Sequence, residues 1–359
     1  MKQNKQNNLE KTPFSRKKQV LLMLLFSAIA VFSIWAVVSQ SREFSLEEFW
    51  DYIQEANLPW LLTAVLSMLG FIVFEALALG VLCSARGKKR TLWQNLTYSA
   101  SDIYFSAITP SATGGQPASA YFMMKDGIGG MQATAILVAN LCMYTLSVVI
   151  ISVIGLVFRF DIFLQVSAVS QILVVVGAIL QVGLLVFFFL VLKHEKLLHN
   201  MCSGVLRFLA KLRILKFLDE KERQLDAYMD NYRVQAKMIT EHPKAMMRCF
   251  LLNFLQRSCQ IAVTMFVYMA TAGKTLGDML ELWFRQSYVV MGSNSIPIPG
   301  AMGVSDYMML DSFQYIMTES QAVNLELLSR SVSFYSCVFI CGAITLIQFY
   351  RTKRRGEQR

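Results

Sequence analysis

Charge is scarce in this sequence: 16% of its 359 residues are Asp, Glu, Lys or Arg, against 55% hydrophobic. Soluble domains carry about 25% charged residues, so the deficit excludes an ordinary water-facing surface and points to a chain solvated by lipid. Histidine is scarcer still. All three (His194, His199, His242) fall in one polar segment, which excludes a histidine-based site within the apolar spans. The seven cysteines form no Cys-x-x-Cys pair and sit within or beside apolar runs, so neither a disulfide framework nor a zinc site is expected. There is no G-x-S-x-G, no H-E-x-x-H and no nucleotide loop, and no metal or cofactor is expected. The net charge of +10 does not read as nucleic-acid binding, because the positive residues lie in blocks between apolar runs, where they set membrane topology.

Long apolar runs are what the chain has instead. Residues 1–19 are a basic tail, six Lys/Arg against Glu10, expected in the cytoplasm. Val20 to Val38 is an apolar run of 19 residues, close to the ~20 that cross a hydrocarbon core. It is long for a signal peptide and has no clear cleavage site, so it reads as a retained first span. Residues 40–56, with five acids against Arg42, suit an outside loop. A second span, about Leu58 to Cys83, is followed by Arg86, Lys88, Lys89 and Arg90, which place that end in the cytoplasm. Further spans are expected near Met131 to Phe158, Ser170 to Leu192, Arg248 to Ala272 and Ser331 to Tyr350. A short outside turn near Arg159 and Asp161 joins the first two, and Glu319 and Glu326 fall outside, before the last. Residues 193–247 hold eleven Lys/Arg and seven Asp/Glu and form a cytoplasmic connection, with a charged amphipathic helix over Leu206 to Met229. A basic tail, 351–359, is also cytoplasmic.

Two stretches cannot be regular helix although they lie among apolar sequence. TPSATGGQP runs from Thr109 to Pro117, and SNSIPIPGAMG from Ser293 to Gly303. Unpaired backbone groups are costly in hydrocarbon, so irregular backbone survives there only under protein or beside a wet cavity. Only about ten residues return from the first break, too few to span. The economical reading is a re-entrant hairpin entering from the cytoplasm, with a second entering from outside. The chain is thus expected to be an all-α polytopic membrane protein with six full spans and two opposed re-entrant hairpins. It forms a single membrane domain over 20–350, whose halves, 20–158 and 170–350, repeat upside down.

The candidate residues follow from these breaks and from polar groups at membrane depth. Thr109, Pro110, Thr113, Gly114, Gly115, Gln116 and Pro117 form one tip; Pro297, Pro299, Gly300 and Gly303 form the other. Gly114 and Gly115 permit close backbone approach to a ligand and positive φ, or tight packing between helices. The helix N-termini after each break suit a lipid phosphate. Asn253, Gln256, Arg257 and Gln260 recur at i, i+3, i+4 and i+7, one polar stripe on one helix face. Arg257, near mid-span, either binds a phosphate or pairs with an intramembrane acid. Those acids are Glu75, Asp102 and Asp306. Each either meets a cationic headgroup, carries a coupling proton, or serves as a salt bridge or cap. Arg285, Asn294 and Ser295 are weaker candidates.

ATGGQPASAYFMM, with its proline and paired glycines before a short helix, resembles the glycine-rich signature of the lysylphosphatidylglycerol synthase transmembrane-domain family, also described as flippase-like. IPIPGAMGVSD resembles the second signature, with Asp306 where Glu is more usual and Ala301 where glycine is expected. The resemblance spans nearly the whole chain. It implies movement of an aminoacylated phospholipid such as lysylphosphatidylglycerol, or of a polyprenyl-linked lipid, between leaflets of the cell membrane. An alternative is a membrane component of aminoacyl-lipid synthesis. The related multiple peptide resistance factors carry a soluble aminoacyltransferase; here nine residues follow the last span, so such a transferase is expected to be absent or a separate partner. Membrane phospholipid, anionic or aminoacylated, is the expected ligand, and the oligomeric state is left open.

Overall fold

The computed structural model describes residues 46–357 apart from 86, 88, 110, 111, 212–224, 227, 230, 231, 233, 235, 238–240, 274, 297, 299, 300 and 302. The expected first span and the amino-terminal tail lie outside the described residues, as do Pro110, Pro297, Pro299, Gly300 and most of the expected Leu206 to Met229 helix. All regular structure among the described residues is helical. A short helix α1 (Leu46–Gln54) precedes the long α2 (Leu58–Ala85). Then come α3 (Leu92–Ile108), α4 (Gly115–Lys125), α5 (Gly130–Phe158), α6 (Phe160–Gln165) and α7 (Ala168–Lys193). The second half holds α8 (Glu195–Lys211), α9 (Pro243–Thr271), α10 (Leu276–Ser293), α11 (Val304–Phe313), α12 (Glu319–Arg330) and α13 (Ser336–Glu357). A π-helical turn, Ser331–Tyr335, joins α12 to α13.

The helix starts are written locally. Thr91, Thr275 and Thr318 each accept a hydrogen bond from the backbone N–H three residues on, while Gln94, Asp278 and Gln321 reach back to the cap. Each reciprocal pair satisfies two otherwise orphaned donors. Pro243 opens α9, where its missing N–H costs nothing.

Five of the described helical segments are long and apolar enough to cross a membrane: α2, α5, α7, α9 and the continuous stretch Glu319–Thr352. The protein is an all-α, multi-pass membrane protein. Helix α7 leaves Ile172, Val175, Ile179 and Val182 exposed, a surface that water would penalise and lipid would not.

Helices α2 and α9 form the most extensive contact and run antiparallel. Asn57 N–H donates to the Ala270 carbonyl at 2.7 Å at one end, and Ser67 Oγ donates to the Cys259 carbonyl at 2.8 Å further along. A Cβ on Gly70 would lie 3.1 Å from Cys259 Sγ, so the absence of a side chain sets this spacing.

Each break produces a hairpin of two packed helices, α3 with α4 and α10 with α11. The hairpins occupy opposite ends of the α2–α9 pair. Residues of α10 and α11 share one core with Ala64, Met68 and Ile72 of α2, Ala100 of α3 and Val263 and Val267 of α9. Residues of α3 and α4 share another with Ala78, Leu79 and Leu82 of α2 and Cys249 of α9.

The expected short turn near Arg159 and Asp161 is built as a short helix, α6. Glu326, expected outside the spans, is fully buried in α12. Its charge is met by Arg330 one turn on, at 3.3 Å, and that pairing lets a stretch that reads as polar enter the interior.

Candidate functional site

The tip between α3 and α4 is closed by its own side chains. Thr109 Oγ1 donates to the Phe105 carbonyl at 2.6 Å and accepts from Gly114 N–H at 2.9 Å. The glycines serve close approach, but to the protein itself. A Cβ on Gly115 would fall 2.1 Å from Asp102 Oδ1 and 2.0 Å from Ser106 Oγ, and one on Gly114 would fall 2.7 Å from Thr109 Cγ2. The positive φ expected of this pair lies elsewhere: Gly114 is right-handed at φ −82°, whereas Ala112 takes φ 52°. Thr113 lies in the turn. Pro117 is exposed in the first turn of α4, where proline is tolerated.

Asp102 is buried on α3 and faces this tip. Gln116 Nε2 donates to its Oδ2 at 2.7 Å and Ser106 Oγ to its Oδ1 at 3.2 Å, so its described partners are neutral. Glu75, buried mid-way along α2, accepts from Gln256 Nε2 at 3.1 Å. It lies within electrostatic range of both Asp102 and Arg257. This region therefore gathers two buried carboxylates and one buried guanidinium from three helices.

Arg257 is 5% exposed. It donates to Gln260 Oε1 and, at 3.2 Å, to Asn294 Oδ1 at the end of α10. Its guanidinium lies over the Tyr144 ring, 4.5 Å from the centroid, and Tyr144 Oη donates to the same Asn294 oxygen at 3.0 Å. No described carboxylate lies within ion-pair distance of Arg257, and its Nε has no described hydrogen-bond partner. Asn253 continues the stripe: its Nδ2 donates to Asn140 Oδ1 on α5 at 3.0 Å. The stripe thus addresses three different neighbours, Asn253 toward α5, Gln256 toward α2, and Arg257 toward the tip of the second hairpin, while Gln260 accepts from Arg257.

Asp306 belongs to a different cluster. Its Oδ2 accepts from Gly303 N–H at 2.7 Å, which caps α11, and its Oδ1 accepts from Arg330. Arg330 also holds Glu326, so one guanidinium is shared by two buried carboxylates. The turn before α11 puts Ala301 at φ 50° and Gly303 at φ 80°. Among the weaker candidates, Arg285 is fully buried and donates to Glu281, Gln165 and the Ser312 carbonyl, which ties α6 and both arms of the second hairpin together.

The structure thus brings Glu75, Asp102, Gln116, Gln256 and Arg257 into one region and holds Asp306 in another. Sequence reasoning missed Tyr144, Asn140 and the Glu326–Arg330 pair. Asn140 within an apolar span and the i, i+4 spacing of Glu326 and Arg330 were usable signals. Nothing local marks Tyr144.

Similarity to known proteins agrees with this architecture. A "UPF0104 membrane protein" of Archaeoglobus fulgidus is 21% identical over 330 residues, covering 88% of this chain and 93% of its own length. No solved structure matches the chain. Residues 20–341 match the family described as the lysylphosphatidylglycerol synthase TM region, which takes in both hairpins and every residue of the polar region, and the chain belongs to that family.

Proposed function

We propose that the protein is a lipid translocase that binds the headgroup of an aminoacylated phospholipid, such as lysylphosphatidylglycerol, between its two hairpins and moves it across the bilayer. The observation that carries this reading is Arg257, a buried guanidinium with no described carboxylate in ion-pair distance. A buried cation whose nearest described acid, Glu75, is in electrostatic range but not in ion-pair contact is costly, and a lipid phosphate would supply two oxygens to its fork. The same region holds Glu75 and Asp102, whose described hydrogen-bond donors are neutral. A lysyl ammonium is the complementary charge for them. Phosphate and ammonium on one headgroup therefore find opposite partners within one region.

In the same reading, α3–α4 and α10–α11 are re-entrant. Helix α4 has 11 residues and α11 has 10, about 15–17 Å of rise against a hydrocarbon core of ~30 Å. Val20 to Val38 supplies a sixth span, both termini lie in the cytoplasm, and the membrane is that of the cell.

The test uses proteoliposomes holding this chain alone, with lysylphosphatidylglycerol in the inner leaflet and an impermeant amine-reactive probe outside. The parent is expected to deliver the lipid to the probe, and Arg257→Ala, correctly folded, is expected to lose that delivery. Equal labelling with parent, variant and empty liposomes would sink the proposal.

A further inference from the structure

Where α2, α3 and α9 meet at the end of the bundle bearing Lys89 and Arg90, a groove of about 750 Å³ opens between the last turns of α2 and the first turns of α9. Leu77 and Val81 of α2 form one wall; Lys244 and Arg248 of α9 line the groove together with Glu241, whose carboxylate is paired with Lys237 at 3.7 Å. Lys244 and Arg248 are exposed, and no described ion pair engages either of them. Asn95 of α3 also lines the groove, is 6% exposed, and its Oδ1 has no described hydrogen-bond partner. The amide reaches this position because residue 80 is glycine: a Cβ there would lie 2.3 Å from Asn95 Nδ2. A buried amide without a partner is uncommon in native proteins and calls for a ligand or water.

We infer that this groove is a binding site for an anionic phospholipid of the adjoining leaflet, separate from the Arg257 region. Lys244 and Arg248 contact its phosphate, a hydroxyl of its headgroup donates to Asn95, and the start of an acyl chain lies along Leu77 and Val81. The apolar wall favours a lipid over free phosphate. It continues from the lip into the part of α2 that is long and apolar enough to cross a membrane. The two basic residues favour an anionic lipid over a zwitterionic one, since each Lys or Arg near an anionic surface contributes about 1 kcal/mol. Binding in this groove does not depend on translocation.

The experiment uses the full chain in liposomes with phosphatidylglycerol bearing a photoactivatable diazirine near the head of one acyl chain, followed by mass spectrometry of the labelled peptides. Label is expected on the peptide containing Leu77 and Val81. Lys244→Gln with Arg248→Gln is expected to cut it about thirtyfold, the loss of two surface charges at about 1 kcal/mol each. Asn95→Leu is expected to remove the preference for phosphatidylglycerol over phosphatidic acid, which lacks the headgroup hydroxyls. The Arg257→Ala protein is expected to label as the parent does, because the two sites share no residue. Labelling that ignores the paired substitution, or that phosphatidylcholine competes away as well as phosphatidylglycerol does, would overturn the site. Displacement by millimolar inorganic phosphate would overturn the lipid as its ligand. Failure of transport with groove labelling intact would overturn only the translocase reading.

Discussion

The two hairpins share a backbone plan and differ in how they treat charge. Each turn carries an alanine in the left-handed region, Ala112 and Ala301, and in each the returning helix begins three residues later, at Gly115 and Val304. In the second hairpin the buried acid Asp306 is closed off by Arg330, which also neutralises Glu326. In the first, Asp102 is met by an amide and a hydroxyl. The nearby Arg257 is likewise met by amides and an aromatic face. The difference separates a locked ionic cluster, suited to holding helices together, from a region whose charges hydrogen-bond to neutral groups, as the proposed headgroup binding requires.

Breaking the lock should produce the largest effect on stability. Arg330→Gln leaves two buried carboxylates without their cation and is expected to cost about 3–5 kcal/mol, read as a large fall in detergent melting temperature. Asp102→Asn, at the matching place in the first hairpin, should cost about 1 kcal/mol or less; equal losses would erase the distinction between the two hairpins. Arg257→Gln should leave the melting temperature near or above that of the parent while lipid delivery is lost. A matching fall in both would make Arg257 a structural residue instead.

The glycine that closes the first hairpin should come next. Gly115→Ala drives a methyl into Asp102 and Ser106, an overpacking expected to cost about 1–3 kcal/mol. The shared turn geometry is tested in the opposite direction. Ala112→Gly and Ala301→Gly each relieve a left-handed alanine and should each stabilise by about 1 kcal/mol. A gain at only one of them would show that the turns are not equivalent.

The smallest effect belongs to α6, where the Arg159 guanidinium beside Asp161 holds that carboxyl below the usual carboxylate range. A lowered value means that the contribution is present above the ordinary pKa and lost as pH falls through the lowered one. Asp161 is well exposed, so Asp161→Asn should shift the melting temperature little at neutral pH and flatten whatever acid dependence this corner adds.

The sequence alone determined the class, the long helices and the two breaks, because hydropathy, capping threonines and Pro-Gly clusters act over a few neighbouring residues. The spacing of Asn253, Gln256, Arg257 and Gln260 likewise placed them on one face, since helical periodicity is local. It could not say what that face meets. Tertiary structure decided that Glu75 takes Gln256, that Arg257 reaches Asn294 and Tyr144, and that Asp306 goes to Arg330. It also buried Glu326 within a helix and gave the first turn's positive φ to Ala112, not Gly114. Charge pairing and close backbone approach depend on residues far apart in the chain, and only the packing of helices settles which of several opposite charges or open spaces each side chain finds.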